Sequence, residues 1–185
     1  YPMAELLHPT SRFLKRACRD INAALTRAES GEASEGLALT LLVEGGDNIS
    51  EDTINRCCIC RAQWRAARPP GAISKRDTYL SALRRIRGKL GRRTALLALA
   101  VAGQAGDPRS GSVVAYVVTE ALPGKTVVAV DGCCCIPELR GADAYLLHAA
   151  ARHWKPFAAK WLNDGPAAND GIRKHKRQHH GVVCL

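Results

Sequence analysis

IPELRGADAYLLHAAARHW, residues 136–154, changes character in its middle. Its first part carries Pro137 and Gly141 among opposite charges and reads as a loop. From Ala142 to Trp154 neither Pro nor Gly interrupts the run, which predicts a loop feeding a helix over about 142–154. Three strands precede it at short intervals: Thr94–Ala102, Ser112–Glu120 and Thr126–Asp131. A Gly/Asp/Pro-rich loop separates the first two, and Leu122-Pro123-Gly124-Lys125 makes a tight turn between the second and third. Ala95–Ala102 is the longest apolar run of the chain and suits a buried strand. After the helix, FAAKWLN (157–163) reads as a further short strand.

Working back toward the start, residues 11–29 place Leu14, Cys18, Ile21, Leu25 and Ala28 at helical spacing, with Thr10 or Ser11 as cap. Leu37–Val43 reads as a buried strand closed by Gly45-Gly46-Asp47. Ser50 is an N-cap for a helix that runs to about Ala67, with acids in its first turn. Arg68-Pro69-Pro70-Gly71 breaks it. Tyr79, Leu80, Leu83, Ile86 and Leu90 then form one apolar stripe on a basic segment. The order α, β, α, α, β, β, β, α, β, α describes one α/β domain, with residues 1–36 as a basic amphipathic helix and loop ahead of the main α/β unit over 37–185.

The 185 residues suffice for one domain with a sizeable core. Twenty-seven Lys+Arg against 17 Asp+Glu give a net charge of +10, which predicts attraction to nucleic acid, anionic lipid or phosphorylated ligands. The first ten residues lack a secretory pattern, and no segment approaches the roughly 20 apolar residues of a membrane span. A cytoplasmic protein is expected. Met3 is the only methionine, so Tyr1 and Pro2 are read as additions or the chain as a fragment.

Eight cysteines include the runs Cys57-Cys58-Ile59-Cys60 and Cys133-Cys134-Cys135, but no Cys-x-x-Cys. Neighbours on a strand point to opposite faces, so three in a row do not share one tetrahedral metal. They read as reduced thiols acting as small hydrophobes, with no metal site expected; a zinc site using Cys57 or Cys60 with a histidine is the alternative. A nucleophilic role for Cys133–Cys135 is not required, although a strand-end thiol facing a cleft can serve.

The basic residues form two groups. Residues 75–93 hold eight cations, Lys75, Arg76, Arg84, Arg85, Arg87, Lys89, Arg92 and Arg93, against Asp77 alone. Near the end, GIRKHKRQHH (171–180) crowds four fixed cations with His175, His179 and His180. A solvated face or tail explains either group; phosphate binding explains both.

The element order, and the Pro-Glu-Leu-Arg-Gly opening of the loop before the 142–154 helix, resemble the GNAT acyltransferase fold: a mixed central sheet with an antiparallel meander and helices on both faces. In that family backbone N–H groups at the helix start cradle a pyrophosphate. Where the family pattern after the arginine needs small residues, this chain has Asp143 and Tyr145, which speak against CoA and imply no cofactor. The 113–154 stretch, KWLND (160–164) and the terminal Gly171-Ile172-Arg173-x-x-Lys176 resemble the catalytic domain of lysyl-phosphatidylglycerol synthases and the Fem-type enzymes, a likeness that spans roughly Ile49 to His180. The resemblance implies a GNAT-like enzyme that takes an amino acid from aminoacyl-tRNA and passes it to an amine or hydroxyl of a small molecule.

An aminoacyl ester is already reactive, so such an enzyme positions two substrates and stabilises an oxyanion. Lys176 is then expected to stabilise the tetrahedral intermediate, and Arg173 to orient a tRNA phosphate. Asp131, or else Glu120, accepts the proton of the attacking amine. Asn163 and Asp164 bind the aminoacyl group or acceptor, Arg140 a phosphate, and Trp64 lines the cleft unless it is core packing. The tRNA path comprises Lys75, Arg76, Arg84, Arg85, Arg87, Lys89, Arg92, Arg93, Lys174 and Arg177. Alternatives are an acetyl-CoA-dependent N-acetyltransferase, a catalytic fragment of a phosphatidylglycerol aminoacyltransferase, and a non-enzymatic RNA-binding module.

Overall fold

The computed structural model describes residues 2–9, 11–30, 36–67, 79–86, 93–103, 111–136 and 139–163. Within them lie α1 (Met3–Leu7), α2 (Arg12–Ser30), β1 (Leu39–Gly45), α3 (Glu51–Ala66), α4 (Tyr79–Ile86), β2 (Thr94–Val101), β3 (Val113–Leu122), β4 (Thr126–Cys134), α5 (Ala142–Trp154) and β5 (Trp161–Asn163). The strands form one sheet in the order β1-β2-β3-β4-β5. The first four pair antiparallel, and β5 runs parallel to β4. The sequence pattern predicts an α/β domain, and the resemblance noted above implies its mixed sheet.

Helices cover the sheet on both sides, which explains why β2 is buried along its whole length and reads as an unbroken apolar run. On one side, Leu14 and Ile21 of α2 and Leu146, Ala150 and Trp154 of α5 pack with Leu97, Leu99 and Val117. On the other, Ile54, Cys57 and Cys60 of α3 and Leu80 and Leu83 of α4 pack with Leu96, Ala98, Tyr116 and Val118. The buried Cys57 and Cys60 are fully enclosed there as small apolar groups.

Two polar anchors fix the helices on the sheet. Ser50 caps α3 by accepting from the Thr53 N–H at 3.1 Å, and Glu44 at the end of β1 accepts from the Ser50 N–H at 2.8 Å and the Thr53 hydroxyl at 2.6 Å. On the opposite side the Trp154 indole N–H donates to the Thr119 hydroxyl at 2.9 Å, both residues being buried. Thr119→Val keeps the shape but leaves that N–H unpaired in the core. The variant is expected to lose about 1–2 kcal/mol in urea unfolding, against a few tenths for a surface change such as Thr40→Val.

The last strand is shorter than predicted. Residues 157–163 read as a strand, but only Trp161–Asn163 form one. Pro156 favours a tight helical turn over Lys155–Phe157, and Ala158 then adopts a left-handed conformation at φ 56°, which no strand residue holds. The short α1 was not foreseen; Met3 and Leu6 bury against the α5 side of the core.

Candidate active site

The side of the sheet covered by α3 and α4 carries an unusual density of polar groups for a helix-covered face. Their placement rests on one irregularity. β3 and β4 pair Thr119 with Ala129 but Val118 with Asp131, so Val130 is an extra residue in β4. Before this bulge Val127 and Ala129 point into the α5 side of the core. Strict alternation would send residues 131 and 133 the same way. The bulge reverses the parity, and Asp131 and Cys133 face α3 beside Tyr116, with Glu120 farther along β3 on the same face.

Asp131 is held by three donors. Arg61 of α3 reaches its Oδ1 at 3.1 Å, the Tyr116 hydroxyl donates to Oδ2 at 3.0 Å, and the Gly132 N–H donates to Oδ1 at 2.9 Å. The ion pair is largely shielded from solvent, with the Arg61 and Asp131 side chains 19% and 10% exposed. Arg61 also donates to the Gly132 carbonyl at 3.2 Å and lies over the ring of half-buried Trp64, 5.1 Å from its centre. Gly132 itself admits no side chain, since a Cβ there would stand 2.8 Å from the Tyr116 carbonyl oxygen.

The second carboxylate, Glu120, accepts a hydrogen bond from the Tyr79 hydroxyl of α4. Burial, followed by the Glu120 hydrogen bond, pushes the Tyr79 phenol up; burial and the Asp131 charge do the same to Tyr116. Both phenols therefore stay protonated donors at neutral pH. Near Asp131 lie two thiols, with Cys60 Sγ on α3 at 3.7 Å from Cys133 Sγ on β4.

Among the described residues β4 is bonded to β5 at Thr126, Val127 and Val128, paired with Trp161, Leu162 and Asn163. β4 runs on to Cys134, and its crossover to β5 begins with α5, whose N-cap is Gly141 at φ 86°, with no side-chain cap. A helix start beside the carboxyl end of a strand in an α/β sheet is an anion-binding arrangement.

Of the residues predicted from sequence, the structure brings Asp131, Glu120 and Trp64 to the α3/α4 side. Asn163 ends β5 and Arg140 is exposed before α5. Arg84 and Arg85 are exposed on α4, Arg84 donating to Asn55 of α3, and Arg93 is exposed just before β2. Lys176, Arg173, Asp164, Lys75, Arg76, Arg87, Lys89, Arg92, Lys174, Arg177 and the three terminal histidines lie outside the described residues. Among the described residues no group of three or more His, Cys, Asp or Glu could hold a metal ion, and no helix is long and apolar enough to cross a membrane.

Arg61 and Tyr116 were missed. Arg61 had a readable signal: Ile54, Cys57, Arg61 and Trp64 fall at helical spacing, so a cation occupies the stripe that faces the sheet, where it requires an anion.

The sheet order, the bulged fourth strand and the crossover through α5 define a GNAT-like fold. Solved structures that share it include a conserved protein of unknown function from Bacteroides thetaiotaomicron, with TM-score 0.62 and 16% identity over 97% of this chain and 53% of that one. L-PGS from Bacillus licheniformis, a lysyl-phosphatidylglycerol synthase, gives 0.55 and 16% over 92% and 45%. Aminoglycoside N-acetyltransferase AAC(6')-Iy in complex with CoA gives 0.52 and 13% over 82% and 92%. The chain thus spans about half the length of the first two. No protein-family model and no curated protein matches the sequence. At these identities the likeness is one of fold.

One expectation is overturned. The sequence reading disfavoured CoA and implied no cofactor, yet the fold is shared with an enzyme that holds CoA. The residue thought to block the phosphates does not do so. Tyr145 is 4% exposed, with its ring in the core and its hydroxyl 3.3 Å from the Asn22 amide oxygen. Its neighbours Ala142 and Ala144 are small and buried, and the exposed Asp143 opposes an anion there.

Proposed function

We propose that the protein is an acyltransferase that moves an acyl group from an activated donor onto an amine or hydroxyl of a small molecule. The observation that carries this reading is the bulge in β4 that sets Asp131 on the same face as Glu120, on the strand whose crossover leads into the uncapped start of α5. A donor placed along β4 meets phosphate-binding N–H groups at one end and carboxylates at the other.

A CoA thioester fits this arrangement and would supply the activated acyl bond. Arg140 and the first turn of α5, from Gly141 to Ala144, would hold its phosphates. Glu120 accepts the proton of the attacking amine, exchanging its bond to Tyr79 for one to the substrate. Asp131, with three donors already on it, is a positioning residue that fixes Arg61 and Tyr116. Trp64 and Asn163 border the acceptor.

A second donor, aminoacyl-tRNA, is favoured by the net charge of +10 and by a fold match to L-PGS that covers 92% of the chain. In that case Arg84, Arg85 and Arg93, with Lys75, Arg76, Arg87, Lys89, Arg92, Lys174 and Arg177, form the phosphate path. Lys176 and Arg173 serve the reacting ester and the tRNA terminus, and Asp164 joins Asn163 at the acceptor.

Calorimetric binding of CoA, acetyl-CoA and a charged tRNA pool at two salt concentrations separates the donors, because phosphate contacts to RNA weaken steeply with salt. Transfer to an amine panel then follows. Glu120→Gln is expected to lower turnover about 100-fold with donor affinity unchanged. The proposal fails if neither donor binds, or if Glu120→Gln turns over at the parent rate.

A further inference from the structure

Cys60 and Cys133 come from parts of the chain 73 residues apart, yet their sulfurs are in contact at 3.7 Å across the α3–β4 interface. The two differ in access: Cys60 is fully buried, whereas Cys133 is partly exposed. They also differ in surroundings. Arg61 follows Cys60 on α3 and binds the carbonyl of Gly132, the residue before Cys133, so its guanidinium lies at the Cys133 end of the pair. Of the described neighbours, Cys57 is buried, and Cys135 Sγ lies 3.3 Å from the Val114 carbonyl and 3.5 Å from Gln63 Oε1 while also interacting with Cys60.

We infer that Cys60 and Cys133 form an oxidation-sensitive thiol pair, in which peroxide attacks at Cys133 and Cys60 closes a disulfide that ties α3 to β4 beside Asp131. The Cys133 thiolate attacks one peroxide oxygen, giving a sulfenic acid and releasing hydroxide. The Cys60 sulfur then attacks the Cys133 sulfur; the S–S bond forms and the S–O bond breaks. The departing hydroxide takes the Cys60 proton as water. Two thiols are oxidised by two electrons and one peroxide is reduced to two waters.

The electrostatics favour this order. The hydrogen bond from Cys60 draws the Cys133 thiol below its usual range, opposed by burial and the Asp131 charge and aided by Arg61. The Cys133 contact, burial and the nearby Cys135 hold Cys60 above its range, and burial raises Cys18, Cys57 and Cys135 as well. Cys133 is therefore suited to react first, and Cys60, whose sulfur is in contact with it, to resolve it. Closing from contact to a bond of about 2.05 Å requires a modest approach of α3 and β4.

The test exposes the reduced full chain to a small excess of hydrogen peroxide, blocks residual thiols by alkylation, and maps unreduced tryptic peptides by mass spectrometry. The expected product joins the peptide 57–61 to the peptide 126–140, lighter by two hydrogens, with fragmentation placing the bond at Cys60 and Cys133 and dithiothreitol reversing it. Cys133→Ala and Cys60→Ala should each abolish the link, while Cys57→Ala and Cys135→Ala retain it. Should Cys60→Ala fail to fold by circular dichroism, Cys133→Ala and alkylation rates on the parent decide. Cys133 is expected to alkylate about tenfold faster than Cys18 or Cys135 at pH 7. The inference is overturned if the link survives Cys133→Ala. It is also overturned if peroxide carries Cys133 to a sulfinic acid with no link formed.

Discussion

Gly141→Ala is expected to destabilise the protein by about 3 kcal/mol. Two effects add at that position. Gly141 is held at φ 86°, a conformation that an alanine adopts only with strain of about 1–2 kcal/mol. Its added Cβ would also stand 2.6 Å from the Cβ of Ala17 on α2 and 3.2 Å from the Phe13 ring. The phenyl ring can shift, but Ala17 moves only with its helix backbone. Gly124 provides the control, because it has a similar φ of 82° in the β3–β4 turn, where an added methyl would meet nothing within 4 Å. Gly124→Ala should therefore show the conformational part alone, about 1 kcal/mol. The difference between the two midpoints in urea measures how tightly α2 closes on the start of α5. Equal midpoints would mean that α2 yields without cost. Because the same turn is proposed to hold donor phosphates, Gly141→Ala is also expected to weaken CoA binding under conditions where it remains folded.

The second large effect is expected at Asp131. Asp131→Ala removes the carboxylate that accepts from Arg61, the Tyr116 hydroxyl and the Gly132 N–H at once, and takes its negative charge from beside a shielded guanidinium. Breaking such a pair from one side is expected to cost about 3 kcal/mol. Arg61→Met with Asp131→Leu removes both charges and should cost less than the sum of the single changes, since neither partner is then stranded. A thermal or urea double-mutant cycle reads the coupling. Full additivity would show that the pair is hydrated in solution and holds α3 only weakly. A coupled result supports Asp131 as the group that fixes Arg61, and with it the neighbouring Cys60–Cys133 contact.

Most of the elements were legible because burial on a regular period leaves a mark in composition. The α5 boundaries follow from Pro and Gly on one side and an unbroken run to Trp154 on the other. β2 was legible because a strand covered on both faces can be apolar throughout. The loop after α5 was misread as strand because left-handed Ala158 has no compositional sign. Asp131 and Glu120 stood out as acids at the ends of predicted strands, but the partners of Asp131 did not, since Tyr116 and Arg61 are 15 and 70 residues from it and only the packing of α3 on the sheet unites them.

The sequence by itself determined the element order from α2 to β5, the apolar strands and the surplus of positive charge, each a property of local composition and period; the helix expected after β5 lies outside the described residues. Tertiary structure alone decided which way the chemistry points. Tyr145 looked like an obstruction beside the phosphate turn, and packing turned it into the core toward Asn22. Asp131 and Cys133 would by strand alternation share a face with Val127 and Ala129; the one-residue bulge at Val130 carries them to the face of Glu120, Tyr116 and α3. A strand has a period of two, so a single extra residue reverses every side chain beyond it, and no local pattern in the sequence announces where that residue falls.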